Sequence, residues 1–301
     1  MDKNSETKRW GAIQRLEFIE FRTFWEGGVN RSDITSKFGV SVPQASGDLS
    51  TYQKLAPTNL RYDSSVKRYV ATEEFSPLFL KLNGDRYLVQ LKAISDGVIA
   101  LGDTWIEAAP PSGVVPLLNR KIDPHLLKKL IATIKEKKSI EVQYQSMFAS
   151  PDEDVWRRIT PHAFGFDGLR WHVRAFCHRG NKFRDFIVSR CMGLRNLGET
   201  GVSPQDDVDW NTNFEVLLKP NPVLSEAQQK AIEIDYGMIE GIVAVSVRCA
   251  LLYYFEKRLR LDVGEIDTPE QTPVVIKNIK EFKEMALRVS ERLNLTSPKR
   301  S

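Results

Sequence analysis

Over the first 72 residues the apolar positions follow a helical period that is interrupted twice. From Thr7 to Glu26, Trp10, Ile13, Leu16 or Phe18, Phe21 and Phe24-Trp25 recur at the spacing of one helix face. Gly27-Gly28 stops that helix. Asn30 stands where it can cap a short second helix holding Ile34 and Phe38, and Gly39 supplies the turn after it. Ser41-Val42-Pro43-Gln44 reads as a third helix start, with Ser at the N-cap, Pro in the first turn and Gln placed as in a capping box. That helix runs to Leu55 with Val42, Ala45, Leu49 and Tyr52 inward, and Pro57 ends it. Asn59 to Ala71 then reads as a hairpin with a polar tip and basic arms. Helix, Gly-containing turn, capped helix and hairpin is the order of a winged helix-turn-helix.

Beyond the hairpin the pattern changes three times. Between Pro77 and Lys138, Phe79-Leu80, Tyr87-Leu88-Val89 and Leu91 are apolar, Ile106 to Gly113 forms a loop, and Leu126-Leu127, Leu130-Ile131 and Ile134 mark an amphipathic helix. This stretch reads as a helical linker packed between two modules. From Trp156 to Cys191 the residues alternate in strand fashion, and Asp167-Gly168 and Gly180-Asn181 are tight-turn signals that fold the segment into a β-meander. Beyond Ser203 strands and helices take turns: strands at Phe214–Leu218, Ile242–Cys249 and Val274–Ile276, helices at Ser225–Tyr236, Leu251–Arg260 and Asn278–Leu293. That is a small α/β or α+β domain. The expected organisation is multidomain α+β, with a winged helix-turn-helix over residues 1–76, a helical linker over 77–138, a β-domain over 139–203 and a last domain over 204–301.

The β-meander carries an unusual load of arginine. Arg157, Arg158, Arg170, Arg174, Arg179, Arg184, Arg190 and Arg195 fall within it or just past it. Strand alternation places Trp171, Val173, Ala175 and Cys177 on one face, His172, Arg174, Phe176 and His178 on the other, and lines up Arg184, Phe186, Val188 and Arg190. Lys137 to Thr200 holds eleven Lys and Arg against seven acids, and Asp152-Glu153-Asp154 supplies three of those seven from one loop. A buried guanidinium is costly unless paired, so either carboxylates such as Glu141 and Asp185 or an anionic ligand must neutralise these side chains.

Arg157-x-x-x-Pro161, Trp171-His172-Val173 and Phe183-Arg184-x-Phe186-x-x-Ser189-Arg190, in this order and spacing, resemble the signature of the WYL domain. The resemblance covers Ile140 to Arg195; the family's Trp-Tyr-Leu tripeptide is here Trp-His-Val. It implies a small Sm-like or SH3-like β-barrel of the kind found in bacterial transcription regulators, followed by a C-terminal extension that contributes to dimerisation. It also implies that the barrel binds negatively charged ligands. The positions matching the family's pattern are His172, in the slot of the motif's tyrosine, with Arg184 and Arg190. Ser146, two residues after Tyr144, and His162, just after Pro161, could add donors. The order winged helix, WYL domain, C-terminal domain resembles regulators encoded beside bacterial antiphage defence systems.

Composition narrows the alternatives. No apolar run approaches the roughly 20 residues that span a bilayer, and the first ten residues, MDKNSETKRW, hold no apolar signal core. Three cysteines without a C-x-x-C indicate neither a disulfide framework nor a zinc ribbon, which fits the cytoplasm. His162, His172, His178 and Cys177 repeat no metal-ligand spacing, so neither metal nor cofactor is expected. No phosphate-loop, zinc-protease or nucleophile-elbow motif occurs, which argues against an enzyme.

The leading expectation is therefore a DNA-binding transcription regulator, a homodimeric repressor on an inverted-repeat operator of double-stranded DNA, with a nucleotide or oligonucleotide as effector. On the third helix Gln44 and Ser46 are expected at base edges and Ser41 and Lys54 at phosphates; on the hairpin Arg61, Lys67 and Arg68 are expected beside the groove. The alternative is a protein that binds single strands on the barrel, where Arg184, Phe186 and Arg190 would suit unpaired nucleotides.

Overall fold

The computed structural model describes residues 3–116, 118, 120–147, 155–261 and 271–294, so the acidic run 152–154 lies outside the described residues. The chain divides into two compact units, Met1–Leu117 and Leu118–Ser301.

The first unit holds α1 (Lys3–Trp25), α2 (Arg31–Phe38), α3 (Val42–Leu55), β1 (Leu60–Asp63) and β2 (Arg68–Ala71). The caps form where the sequence places them. Asn30 and Asp33 make a reciprocal capping box, Gly39 ends α2 in the left-handed region at φ 64°, and Ser41 accepts the Gln44 N–H. The other half of the box expected at α3 is not made, because the Gln44 amide donates to Asp48 at 3.0 Å instead. Leu16, Phe18, Ile19, Ile34, Ala45, Leu49 and Tyr52 form the core. Val42, expected inward, is instead exposed, as are Trp10, Ile13 and Phe24 of the α1 stripe. The hairpin is tied down by a bridge between Val29 and Tyr69, making it a wing.

The stretch read as a linker divides between the units. Its first part, including α4 (Gly84–Ser95), packs on α1 through a cluster of Phe21, Leu80 and Ile106 with Tyr87 and Trp105. Glu20 of α1, fully buried, fastens this part by accepting the N–H groups of Leu78, Phe79 and Leu80 and the Tyr52 hydroxyl. A buried carboxylate is tolerable only when hydrogen bonds replace its hydration, and here four donors do so.

The second unit begins with α5 (Pro124–Lys135), then β3 (Ser139–Tyr144), β4 (Trp156–Phe166), β5 (Trp171–Cys177), β6 (Lys182–Ile187) and β7 (Cys191–Gly198). The five strands form one antiparallel sheet in the order β6-β5-β4-β3-β7, the arrangement of the expected Sm/SH3-like barrel. Val173, Ala175, Cys177 and Phe186 point into its core with Ile140, Val142 and Ile159, and Leu126 and Leu130 of α5 complete it. One expectation fails: β6 ends at Ile187 and Val188–Arg190 is a single 3-10 turn, so Arg190 does not continue the alternation of Arg184 and Phe186.

After β7 come α6 (Val208–Asn211), β8 (Asn213–Pro220), α7 (Glu226–Asp235), β9 (Val243–Arg248), α8 (Leu252–Arg258), β10 (Val274–Ile276) and α9 (Ile279–Asn294). The three strands make an antiparallel sheet, β10-β8-β9, whose core joins Val216, Leu218 and Val247 to Leu252 of α8 and Phe282 and Val289 of α9.

Candidate nucleic-acid interface and barrel cations

The first unit carries a groove of about 740 Å³ between α2, α3 and the wing, with Arg31, Thr35, Ser46, Tyr62 and Lys67 among its lining residues. Ser41, Gln44, Lys54, Arg61 and Lys67 are all exposed on α3 or the wing. Ser46 is half-buried and its hydroxyl is turned back onto the Val42 carbonyl at 2.9 Å, a bond a helix interior commonly imposes on serine. Arg61 has a single described carboxylate, Asp63, at 3.5 Å and remains 62% exposed, so its charge is free to meet a polyanion.

Arg68 is placed differently. Its guanidinium bonds Asp33 at 3.1 Å and Glu107 at 2.8 Å, and Glu107 is also bonded by Arg22. Those two acids hold the Arg68 charge in place although burial opposes it. Arg68 thus bolts the wing to α2 and to the segment after α4. Sequence reasoning missed Arg31 and Tyr62, the latter packed edge-on against Tyr69 at 5.2 Å. The signal for Arg31 was its place at the first position of a capped helix facing the groove; Tyr62 had none.

In the second unit the five barrel residues fall into three places. His172 lies on the outward face of β5, almost fully buried, with Nε2 2.9 Å from Asp167 and its ring 4.9 Å from that of Tyr254 on α8. Burial alone would raise the Asp167 carboxyl, but bonds from His172, Arg170 and two backbone N–H groups hold it far below the usual range. His162 sits at a β-bulge, since the β4–β5 register slips between Pro161 and Ala163. Proline cannot donate to a ladder, so a central strand carrying one needs such a bulge, and the bulge re-aims a side chain. His162 meets Asp207 at 2.9 Å.

Asp207, the N-cap of α6, is the acid that local charge counting could not find, because it lies beyond the strands it neutralises. It takes a two-pronged bond from Arg174, at 2.7 and 3.0 Å, while Asp185 takes a third at 3.3 Å. Tyr254 donates to Asp185 at 3.2 Å. Burial works to raise Asp207, yet the His162 and Arg174 bonds outweigh it and lower it to about 2. The outward face of β5 is therefore a buried polar seam between barrel and C-terminal domain.

Arg190 lies beside the segment that carries Ser146: its carbonyl accepts the Gln145 N–H, and its guanidinium reaches the Met147 sulphur. Arg184 stands apart on edge strand β6, with its guanidinium folded over Gly180 of the β5–β6 hairpin. Glu141 is committed to Arg158, Arg195 and Asn196, and among the described residues no carboxylate pairs with Arg184 or Arg190. Among them, too, no group of His, Cys, Asp and Glu could hold a metal ion, and no helix is long and apolar enough to cross a membrane.

Three family models match in chain order: the BrxR transcriptional regulator winged helix-turn-helix domain over residues 11–93, the WYL domain over 125–195, and the BrxR transcriptional regulator C-terminal dimerization domain over 213–282. The DNA-binding transcriptional repressor CapW of Stenotrophomonas maltophilia is 38% identical over 287 residues, covering 94% of this chain and 95% of that protein. CapW of Pseudomonas aeruginosa is 38% identical over 284 residues, 94% of each chain, and CapW of Escherichia coli strain KTE188 38% over 277, 92% of each.

Proposed function

The chain belongs to the family of the DNA-binding transcriptional repressor CapW, and on that premise we propose that it is a homodimeric repressor reading an inverted-repeat operator in double-stranded DNA. The observation that carries the reading is the groove of about 740 Å³ between α2, α3 and the wing, with Gln44, Lys54, Arg61 and Lys67 exposed on the elements that frame it. A helix enters the major groove with its first residues at base edges, and Gln44 is the exposed amide on the first turn of α3, able to read an adenine with two hydrogen bonds. Ser41 and Lys54 meet phosphates at the two ends of that helix, and Arg61 and Lys67 meet the backbone beside it. One such helix reads a half-site, and two protomers joined through their C-terminal domains read two.

The target operon serves defence against phage, the protein works in the cytoplasm with the DNA it controls, and the barrel senses an anionic ligand, a nucleotide or nucleic-acid fragment. Arg184 and Arg190 are its first contacts, because each carries a guanidinium that no described carboxylate neutralises. His162 and His172 face Asp207 and Asp167 and would act by holding the barrel against the C-terminal domain. Sedimentation with one half-site and with the inverted repeat tests the dimer: preference for the repeat supports it. A monomer at micromolar concentration that binds both DNAs equally would refute it.

A further inference from the structure

Lys182 opens β6 directly across from Cys177 of β5. The residue is 7% exposed, and its ammonium is buried without a hydrogen-bond partner among the described residues. A buried ammonium that has lost its hydration and gained no acceptor is unfavourable, and its surroundings add to the cost. Two residues on, Arg184 lies on the same face of the strand, and its charge, after burial itself, is the largest influence pushing the Lys182 amine below its usual range. Among the described residues, the acids of the barrel strands and their turns are engaged elsewhere: Asp185 with Arg174 and Tyr254, Asp167 with His172 and Arg170, Glu141 with Arg158 and Arg195. The fold thus holds two adjacent cations, one of them buried and unpaired, at the edge of the sheet beside a hairpin.

We propose that Lys182 and Arg184 together hold the terminal phosphate of a nucleotide or oligonucleotide. This rests on the reading of the barrel as an anion sensor and adds which anion it takes. A terminal phosphate carries close to two negative charges at neutral pH and presents three acceptor oxygens, whereas an internal phosphodiester carries one. Arg184 supplies the planar fork for two of those oxygens and Lys182 the point charge for the third. The effector class is then an end, such as a 5′-phosphorylated fragment, and not an unbroken strand.

The test titrates full-length protein with one tetranucleotide in two forms, 5′-phosphorylated and 5′-hydroxyl. The phosphorylated form is expected to bind more tightly by on the order of tenfold, the worth of a charge-assisted hydrogen bond. Inorganic phosphate should compete with it. Lys182→Met and Arg184→Gln should each erase the preference, and without ligand Lys182→Met should melt about 2–4 °C higher because it removes an unpaired buried charge. Equal binding of the two forms, an unchanged preference in Lys182→Met, or a lower melting temperature for that variant would overturn the assignment while leaving anion sensing in place. Failure of both forms to bind would remove the sensing reading with it.

Discussion

Arg61 on the wing is 62% exposed and meets one described carboxylate at 3.5 Å, whereas Arg174 on the barrel is 3% exposed and meets two, the nearer at 2.7 Å. Both sit on short antiparallel strands, and both would be counted as basic residues of a binding face. The difference lies in what stands opposite. Around Arg61 there is solvent, so its charge is worth little to the fold and is available to a polyanion. Around Arg174, Asp207 and Asp185 replace water, so its charge holds β5, β6 and α6 together and is available to nothing else. Arg68 repeats the barrel's solution on the wing, and Arg184, which no described carboxylate pairs, is the barrel's counterpart of Arg61. In each region, cations with committed partners build the site and cations without them are left to bind.

The largest effect that could break this comparison is at Arg174. Arg174→Met should leave Asp207 and Asp185 buried without their counter-charge and destabilise the second unit by about 3–5 kcal/mol, read from urea unfolding. A loss below 1 kcal/mol would mean that the seam is not structural. The same seam predicts an acid limb. Because Asp207 lies near 2 in the folded chain and about 3.9 unfolded, its contribution is complete above pH 4 and is lost as the pH falls toward 2. Asp207→Asn should flatten the stability profile in that window.

Gln44→Ala comes next, with an expected loss of about 1–3 kcal/mol on the operator and little on random duplex. Equal losses on both would move Gln44 from base reading to positioning. The smallest effect sharpens the contrast within the wing. Lys67→Ala should weaken all duplexes alike and lower the salt dependence by roughly one unit. Arg68→Met should instead lower the melting temperature of the first unit with no such change in slope, since its guanidinium is bound to Asp33 and Glu107.

Much of this molecule is legible in its sequence where the determinants are local. Asn30, Gly39 and Ser41 set the helix boundaries through their own hydrogen bonds, and Asp167-Gly168 and Gly180-Asn181 set the hairpins. The alternation of β5 sorts Val173, Ala175 and Cys177 from His172 and Arg174 correctly. What escapes is the partner at a distance. Arg174 lies 33 residues from Asp207 and Arg68 lies 39 from Glu107, so no window of composition reveals that either is neutralised. A bulge such as the one at His162 shifts a side chain by one register position, and the 3-10 turn at Val188–Arg190 carries Arg190 away from Arg184. Periodicity assumes a strand that continues, and both of these interrupt it.

The central claim, operator-specific duplex binding, is met most directly by a competition experiment. Labelled duplex from the region upstream of the protein's own gene is challenged with random duplex and with single strands of the same sequence at fixed salt. A repressor of this kind should favour the upstream duplex over random duplex by on the order of 10³ or more, and over single strands as well. Equal competition by random duplex, or stronger competition by single strands, would contradict the account and favour a protein that works through its barrel alone.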